Sequence, residues 1–368
     1  MRNLSRSLAV LVALAYLGCS GGAKERRYTR KQAQQSLRTL EKPGLVIGEF
    51  TLARKNPIID GDTIRVQGLD STLRLLAIDT EEIFHHADHR RAAETDFDAY
   101  IKAMRAKSRK PPKVGTFMGV KAMQWAKKFF AGIKTVRLER DHPKQIRGYY
   151  NRYLAYVFVN KHGKWLNYNI ECVRAGMAPY FTKYGYSRRF HDEFVKAQNE
   201  ARAAKRGIWN PNAKGFGDYD VRLKWWNARA EFIKKFEQDA QGKDNWIILT
   251  DWDAIGRLEK HIDKEVVVLG TVGKIRIGDG RRPTKVTLSR RMFNDFPLIF
   301  FDKDVFGNSH IADYRGEFVR VRGTVNKYRN KYTGKEVLQI KVLLPGQVEG
   351  SFVPDFYKKS RGSSGAAK

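Results

Sequence analysis

The stretch IIDGDTIRV, Ile58–Val66, followed shortly by LRLLAIDTEE, Leu73–Glu82, decides how the first half of the chain is read. Each run is rich in branched apolar residues over a strand's length, and Asp60-Gly61 adds turn chemistry to the first. The two predicted strands gather Asp60, Asp62, Asp79, Glu81 and Glu82 around one arginine, Arg74. This acid stands in a chain of 368 residues with 70 Lys+Arg against 39 Asp+Glu, a formal net charge of +31. So positive a chain calls for a polyanion or an anionic surface. Nucleic acid leads, because neutralising phosphates releases condensed counterions. The alternative is a generally solubilising basic surface. With 42% apolar and 12% aromatic residues, a disordered basic tail is excluded.

The length suggests two folded domains. The chain begins MRNLSRSLAVLVALAYLGCSGG: Arg2 and Arg6 form a positive n-region, and Leu8 to Leu17 is an apolar stretch too short for a mature membrane span. YLGCSGG resembles a bacterial lipoprotein signal with Cys19 as the lipidated residue, although Tyr16 departs from its usual pattern. A plain secretory signal or an uncleaved anchor are the alternatives; all three imply export, to the cell envelope or beyond. With Cys19 lipidated, Cys172 has no disulfide partner and reads as a buried apolar side chain. No Cys/His spacing suits zinc.

We divide the chain into 1–22, signal and start of linker; 23–43, linker; 44–210, first domain, with an insert at about 83–115; 211–262, helical connector; 263–348, second domain; and 349–368, a low-complexity tail expected to be disordered. In the first domain, LVIGEFTLA, IIDGDTIRV, LRLLAID, KTVRLE and RYLAYVFV read as strands. Helices are expected around Val120–Ile133, from about Leu166 to Gly176, and from about Ser187 to Gly207. Five short strands without a βαβ rhythm suggest a small barrel. The connector reads as helical throughout, with Trp225 and Trp226 as packing residues. In the second domain, EVVVLGTVGKIRIG, TKVTLSRR, FPLIFFDKDV, EFVRVRGTVNKYR and EVLQIKVLLP give the pattern of an OB-fold, a five-stranded Greek-key barrel. The fold class expected is α+β, mainly β.

The acidic island reads as chemistry. Asp62 and Asp79, at the ends of neighbouring strands, repel unless a cation lies between them, and hard oxygen ligands favour Ca²⁺ or Mg²⁺. Thr80 adds its main-chain carbonyl or its hydroxyl. Glu82 is placed to hold or deprotonate a water, and Arg74 to clamp a phosphate. A tight Asp-Gly turn with a structural Arg–Asp pair is the bland alternative.

In order, DGDTIRV, LRLLAIDTEE, NRYLAYVFV, AGMA and GIWN resemble the staphylococcal nuclease (thermonuclease) family, over roughly Gly44 to Asn210. The resemblance implies an OB-type barrel with three helices and calcium-dependent hydrolysis of DNA and RNA to 3′-phosphate products. It implies Asp62, Asp79 and Thr80 as metal ligands, with Asp60 supporting from behind. Glu82 becomes the base or water-orienting carboxylate, and Arg74 and Arg152 the phosphate-binding arginines. Glu81 stands where the family usually has proline, which implies lost rigidity and a negative charge beside the substrate. The insert carries His85, His86, Asp88 and His89, candidate metal ligands but more simply exposed loop residues, and then a basic run suited to a nucleic-acid backbone. Substrate-stacking tyrosines of the family align loosely with Tyr150, Tyr180, Tyr184 or Tyr186. In the second domain Arg320, Arg322, Lys327, Tyr328 and Arg329 offer charge and stacking to nucleic acid, although such folds also bind oligosaccharides and proteins. The competing account is a nuclease-like envelope lipoprotein that binds nucleic acid without cutting it. No protein partner is inferable from the sequence.

Overall fold

The computed structural model describes residues 44–354 apart from 109, 149, 151, 280–281, 289–294, 330–333 and 335. The signal and linker, Cys19 included, and the chain from 355 onward lie outside the described residues. The architecture is α+β, with two mixed sheets and helices. Among the described residues no helix is long and apolar enough to cross a membrane.

The first sheet comprises β1 (Val46–Thr51), β2 (Thr63–Ile64), β3 (Leu73–Leu75), β4 (Thr135–Glu139), β5 (Tyr153–Lys161) and β6 (Lys164–Asn167). Its order is β1-β4-β5-β3-β2, with β6 as a hairpin partner of β5. Only the β3–β5 contact is parallel among these pairings. A single bridge, Leu52 to Val66, ties the end of β1 to the residues after β2. The β5–β6 turn has His162 and Gly163 both at positive φ, the backbone a tight two-residue hairpin demands. Ile64, Leu73, Leu75, Val136, Leu138, Ala155, Val157 and Val159 fill the sheet's core. Burying each large aliphatic side chain contributes roughly 1.5–3 kcal/mol, offset by ordering entropy.

The helices of this half are α1 (Ala87–Thr95), α2 (Phe97–Ala106), α3 (Phe117–Phe129), α4 (Tyr168–Arg174) and α5 (His191–Ala203). The insert is therefore largely helical rather than looped: α1 and α2 bury Ala93, Tyr100 and Ile101 against Phe84, Phe97 and Phe117. Leu166 lies in β6, so the helix expected from that residue begins at Tyr168, after the hairpin, where the Asn167 side chain accepts the Asn169 N–H as an N-cap.

Helix α6 (Tyr219–Asp239) follows. The stretch expected to be wholly helical then contains β7 (Trp246–Ile248) before α7 (Ala254–Glu259). β7 joins the second sheet in parallel beside Val267–Leu269, because WII presents apolar residues on both faces to a buried edge. That sheet continues with β8 (Glu265–Arg276), β9 (Thr284–Leu288), β10 (Phe296–Phe300), β11 (Phe318–Arg329), β12 (Glu336–Lys341) and β13 (Val348–Gly350), with α8 (Lys303–Asn308) between β10 and β11. β8 pairs with β9, β9 with β10, β10 in parallel with β12, β12 with β11, and β11 again with β8.

Helix α6 joins the two halves through two faces. Ile233 and Phe236 sit against Val267, Leu269 and Phe318 of the second sheet. Trp225 and Trp226 are buried, with Phe181 and Trp209 beside them. On the same helix Arg229, 1% exposed, pairs with Glu317, which has no solvent exposure. Glu317 also accepts the Trp225 indole N–H at 3.0 Å.

Candidate functional site

The acidic island is assembled by two bends. At the first, Asp60 Oδ1 accepts the Asp62 N–H at 2.9 Å, which folds the Asp-Gly-Asp segment into a tight turn. Tyr168 donates to the Gly61 carbonyl at 2.7 Å and pins that turn from the core. A Cβ on Gly61 would come within 2.5 Å of the Thr80 methyl, so glycine lets the turn lie directly on the second bend. At the second, Ala77 takes a φ of 60°, a left-handed conformation rare for a residue with a side chain. The Asn169 amide holds the neighbouring Leu76 carbonyl at 2.8 Å, and Phe181 N–H donates to the Ala77 carbonyl at 2.9 Å. The chain leaving β3 is thereby turned so that Asp79 and Thr80 face Asp62.

Asp62 Oδ2 accepts the Thr80 N–H at 3.0 Å, and its Oδ1 accepts the Thr63 hydroxyl at 3.1 Å. Arg74 pairs with Asp62 and, through Nη2 at 2.5 Å, with Asp79. Arg152 reaches the same hydroxyl of Thr63 at 3.3 Å. Arg74 thus meets Asp62 directly and Arg152 meets it through the Thr63 hydroxyl. Lys113, from the end of the insert, places Nζ 2.6 Å from Asp79 Oδ1. Glu82 is half-buried beside this group, and its carbonyl accepts the Thr116 N–H at 3.0 Å.

The electrostatics follow from the packing. Burial, then the neighbouring Asp62 carboxylate, pushes Asp60 up to about 7. Burial raises Glu82 as well; Lys113 opposes this, and Asp62 and Asp79 add to it. Burial works against ionised Asp79 too, but Lys113 and Arg74 outweigh it and hold that carboxyl below its ordinary range. Burial disfavours the Arg74 guanidinium, yet Asp62 and Asp79 raise it on balance.

Glu81 does not join the cluster of Asp62, Asp79 and Arg74. It is 1% exposed and turned inward. Its Oε2 accepts the Thr116 hydroxyl at 2.5 Å, while Oε1 accepts the Phe216 N–H and the Tyr219 hydroxyl, each at 2.8 Å. The expected lost rigidity and added charge beside a phosphate give way to a buried latch, because polar donors from α3 and from the start of α6 converge on that side of the loop. Gly119 completes the latch: a Cβ there would lie 2.0 Å from the Glu82 carbonyl oxygen, so glycine allows α3 to abut the loop.

Of the tyrosines considered, Tyr150 and Tyr184 are 66% and 65% exposed. Tyr150 lies 5.9 Å from the Arg152 guanidinium. Tyr180 is not a base platform: it is 3% exposed, stacked on Phe194 at 4.9 Å, and its hydroxyl accepts the Ser187 N–H. Tyr186 is half-buried against His191. In the insert, His86, Asp88 and His89 belong to or cap α1 rather than an open loop, and Asp88 pairs with Arg91. In the second sheet Arg320 is taken up by Asp239 at 3.0 Å and by Glu349, which removes it as a free cation. Arg322 pairs with Glu265 at 2.9 Å and Lys327 with Glu336 at 2.7 Å, both at the surface. Tyr328 and Arg329 are exposed. Cys172 is a free, buried thiol.

Lys113, Thr116, Phe181 and Tyr219 escaped the sequence reading. Lys113 ends the basic run SRKPPK, which was a visible signal; nothing in the sequence singles out Tyr219, well over a hundred residues from its partner Glu81.

A divalent cation fits this donor set in kind. Asp62, Asp79 and the Thr80 carbonyl are hard oxygen donors, and both carboxylates converge on one guanidinium. Among the described residues no group of three or more His, Cys, Asp or Glu side chains is gathered as a metal cluster. The set is thus one of few protein oxygens, with Asp79 shared with Arg74 and Lys113.

Residues 72–211 match the family described as staphylococcal nuclease homologue. An uncharacterized protein of Methanocaldococcus jannaschii is 31% identical over 161 residues, spanning 42% of this chain and 69% of that protein. The matched window takes in Arg74, Asp79, Thr80, Glu82, Lys113 and Arg152; Asp60 and Asp62 precede it.

Proposed function

The chain belongs to the staphylococcal nuclease homologue family through residues 72–211, and on that premise we propose that it is a calcium-dependent nuclease. It hydrolyses phosphodiester bonds of DNA or RNA, leaving 3′-phosphate ends. The observation that carries this is the convergence of Asp62 and Asp79 on Arg74, with Arg152 on the Thr63 hydroxyl that Asp62 also holds and Glu82 alongside. Asp62, Asp79 and the Thr80 carbonyl would hold the calcium, and Asp60, which accepts the Asp62 N–H, would fix Asp62 for that role. Calcium, when bound, supplies positive charge where phosphate oxygens gain negative charge. Glu82 orients the attacking water and accepts its proton; burial, by raising this carboxyl, makes it a better base near neutral pH. Arg74 and Arg152 present guanidinium donors to the equatorial oxygens as charge builds there.

The ring of pairings β8-β9-β10-β12-β11-β8 favours an OB-type barrel for the second sheet. We assign it an accessory nucleic-acid role through the exposed Tyr328 and Arg329. Export with lipidation at Cys19 completes the proposal; a fatty-acid probe that leaves Cys19 unlabelled would remove that part.

The test is cleavage of single-stranded DNA and of RNA with calcium and with a chelator. Asp79→Asn and Arg152→Ala are expected to lose most activity. A wild type with no calcium-dependent cleavage of either polymer ends the enzyme reading. A second reading, retention of nucleic acid without cleavage, draws on Lys113, which with Arg74 neutralises Asp79 from within. It requires salt-sensitive binding indifferent to Glu82→Gln.

A further inference from the structure

Arg74, Lys113 and Lys183, from three parts of the chain, all act on Asp79, and arginines of α6 brace the segments that carry the two lysines. Arg74 of β3 and Lys113 of the insert share the ring of Phe181, at 5.9 and 5.8 Å from its centre. Two residues beyond Phe181, Lys183 lies 4.8 Å from the ring of Trp225 and 5.7 Å from that of Tyr184. Arg229 of α6 donates to the Lys183 carbonyl at 3.0 Å. On the same helix Arg222 donates to the Pro112 carbonyl at 2.7 Å, which fixes the approach to Lys113 against α6.

The charges in this group are unequally matched. Arg74 has Asp62 and Asp79, and Arg229 has Glu317. Lys113 must share Asp79 with Arg74. Lys183 rests on aromatic rings, and its surroundings on balance work against its charge: burial, then Arg229 and Lys113, push it down to about 8 against the opposing pull of Asp79 and Glu317. Burial and Lys183 likewise lower Lys110 at the outer edge. Packing like charges together is unfavourable unless an anion enters between them.

We propose that Lys113 and Lys183, braced by the insert and by α6, form a second phosphate subsite that takes the phosphodiester next to the one at the acidic island. The ligand is a single-stranded nucleic acid, because the exposed ring of Tyr184 adjoins Lys183 and offers a stacking face that paired bases lack. This rests on the nucleic-acid part of the function proposed above but not on cleavage. It gives the insert and α6 a role in holding substrate.

The test measures binding of the full chain to a fluorescent thymidine 12-mer, with calcium chelated so that nothing is cut, from low to moderate salt. For single strands the log–log salt slope changes by about 0.7 for each phosphate contact. Lys183→Gln is expected to reduce the slope by about that amount, and Lys183→Arg to keep it. Lys113→Gln, made in an Asp79→Asn background so that no carboxylate loses its cation, is expected to reduce the slope equally. Lys196→Gln, exposed on α5, should leave it unchanged. An unchanged slope in Lys183→Gln overturns the subsite. An equal loss on a duplex of the same length overturns the assignment to single strands. Because binding is read without cleavage, a wild type that binds but never cuts sinks the nuclease reading alone.

Discussion

Removing the Tyr219 hydroxyl tests whether the loop carrying Asp79 and Glu82 is held from the connector helix. That hydroxyl and the Phe216 N–H donate to one oxygen of Glu81, and the Thr116 hydroxyl donates to the other. Glu81 is 1% exposed, so bulk water does not replace a lost donor. A hydrogen bond to a charged acceptor contributes about 1.5–3 kcal/mol. Burial raises the Glu81 carboxyl against the pull of these donors, which argues for the lower end of that range. Tyr219→Phe should therefore cost about 1.5–2 kcal/mol of folding stability. Glu81→Ala orphans all three donors and should cost about 3–5 kcal/mol, from the same unmade bonds plus a small void. In the double variant the Tyr219 change should add little to the Glu81 change, a coupling of about 1–2 kcal/mol. Urea unfolding followed by tryptophan fluorescence reads it, since the Trp209 ring lies 5.4 Å from that of Tyr219. Additive losses, with coupling below about 0.5 kcal/mol, would refute the latch.

Three further outcomes follow from the geometry. Gly119→Ala forces a methyl onto the Glu82 carbonyl and should destabilise by about 1–3 kcal/mol while lowering cleavage; a variant as active and stable as wild type contradicts the close approach. Arg229→Ala leaves the Glu317 carboxyl without its guanidinium at 0% exposure and should cost about 3–5 kcal/mol in urea unfolding; a cost under about 1 kcal/mol would show the pair to be loose. Burial, then Asp253, raises Asp251 to about 6. Its folded pKa exceeds the unfolded one, so the contribution of Asp251 to stability is most favourable below about pH 4 and falls as pH rises toward 6, by up to about 3 kcal/mol. Asp251→Asn should remove that fall and gain stability at pH 7 with little change at pH 4, and no gain at pH 7 would contradict it.

The sequence disclosed most where chemistry and local pattern coincide. Asp62 and Asp79 were legible because Asp-Gly turns and alternating apolar runs are short-range signals, and the strands they bound are present. The same holds for the apolar runs of the second half, whose strands lie close to their expected positions. Contacts made at long sequence separation stayed hidden. Tyr180 and Tyr184 differ little in local composition, yet one is stacked in the core on Phe194 and the other is exposed; only packing separates them. WII of β7 read as helix because a three-residue strand has no measurable period of its own and is defined by its neighbour in β8. Glu81 looked like an intrusion on the substrate because its three donors come from residues 116, 216 and 219.

The latch also bears on where this protein can be divided for production. The family match ends at residue 211, a natural place to cut an expression fragment. Such a fragment would lack Phe216 and Tyr219, which cover Met118 and Ile208 in a small apolar cluster. It would open a greasy face directly behind the loop that bears Asp79 and Glu82, with a carboxylate stranded at its centre. A fragment extended through Asp239 keeps that face closed but bares Ile233 and Phe236, whose cover is the second sheet. Poor yield or weak activity from a shortened chain would therefore reflect the position of the cut rather than the competence of the site, and solubility should recover in steps as each cover is restored.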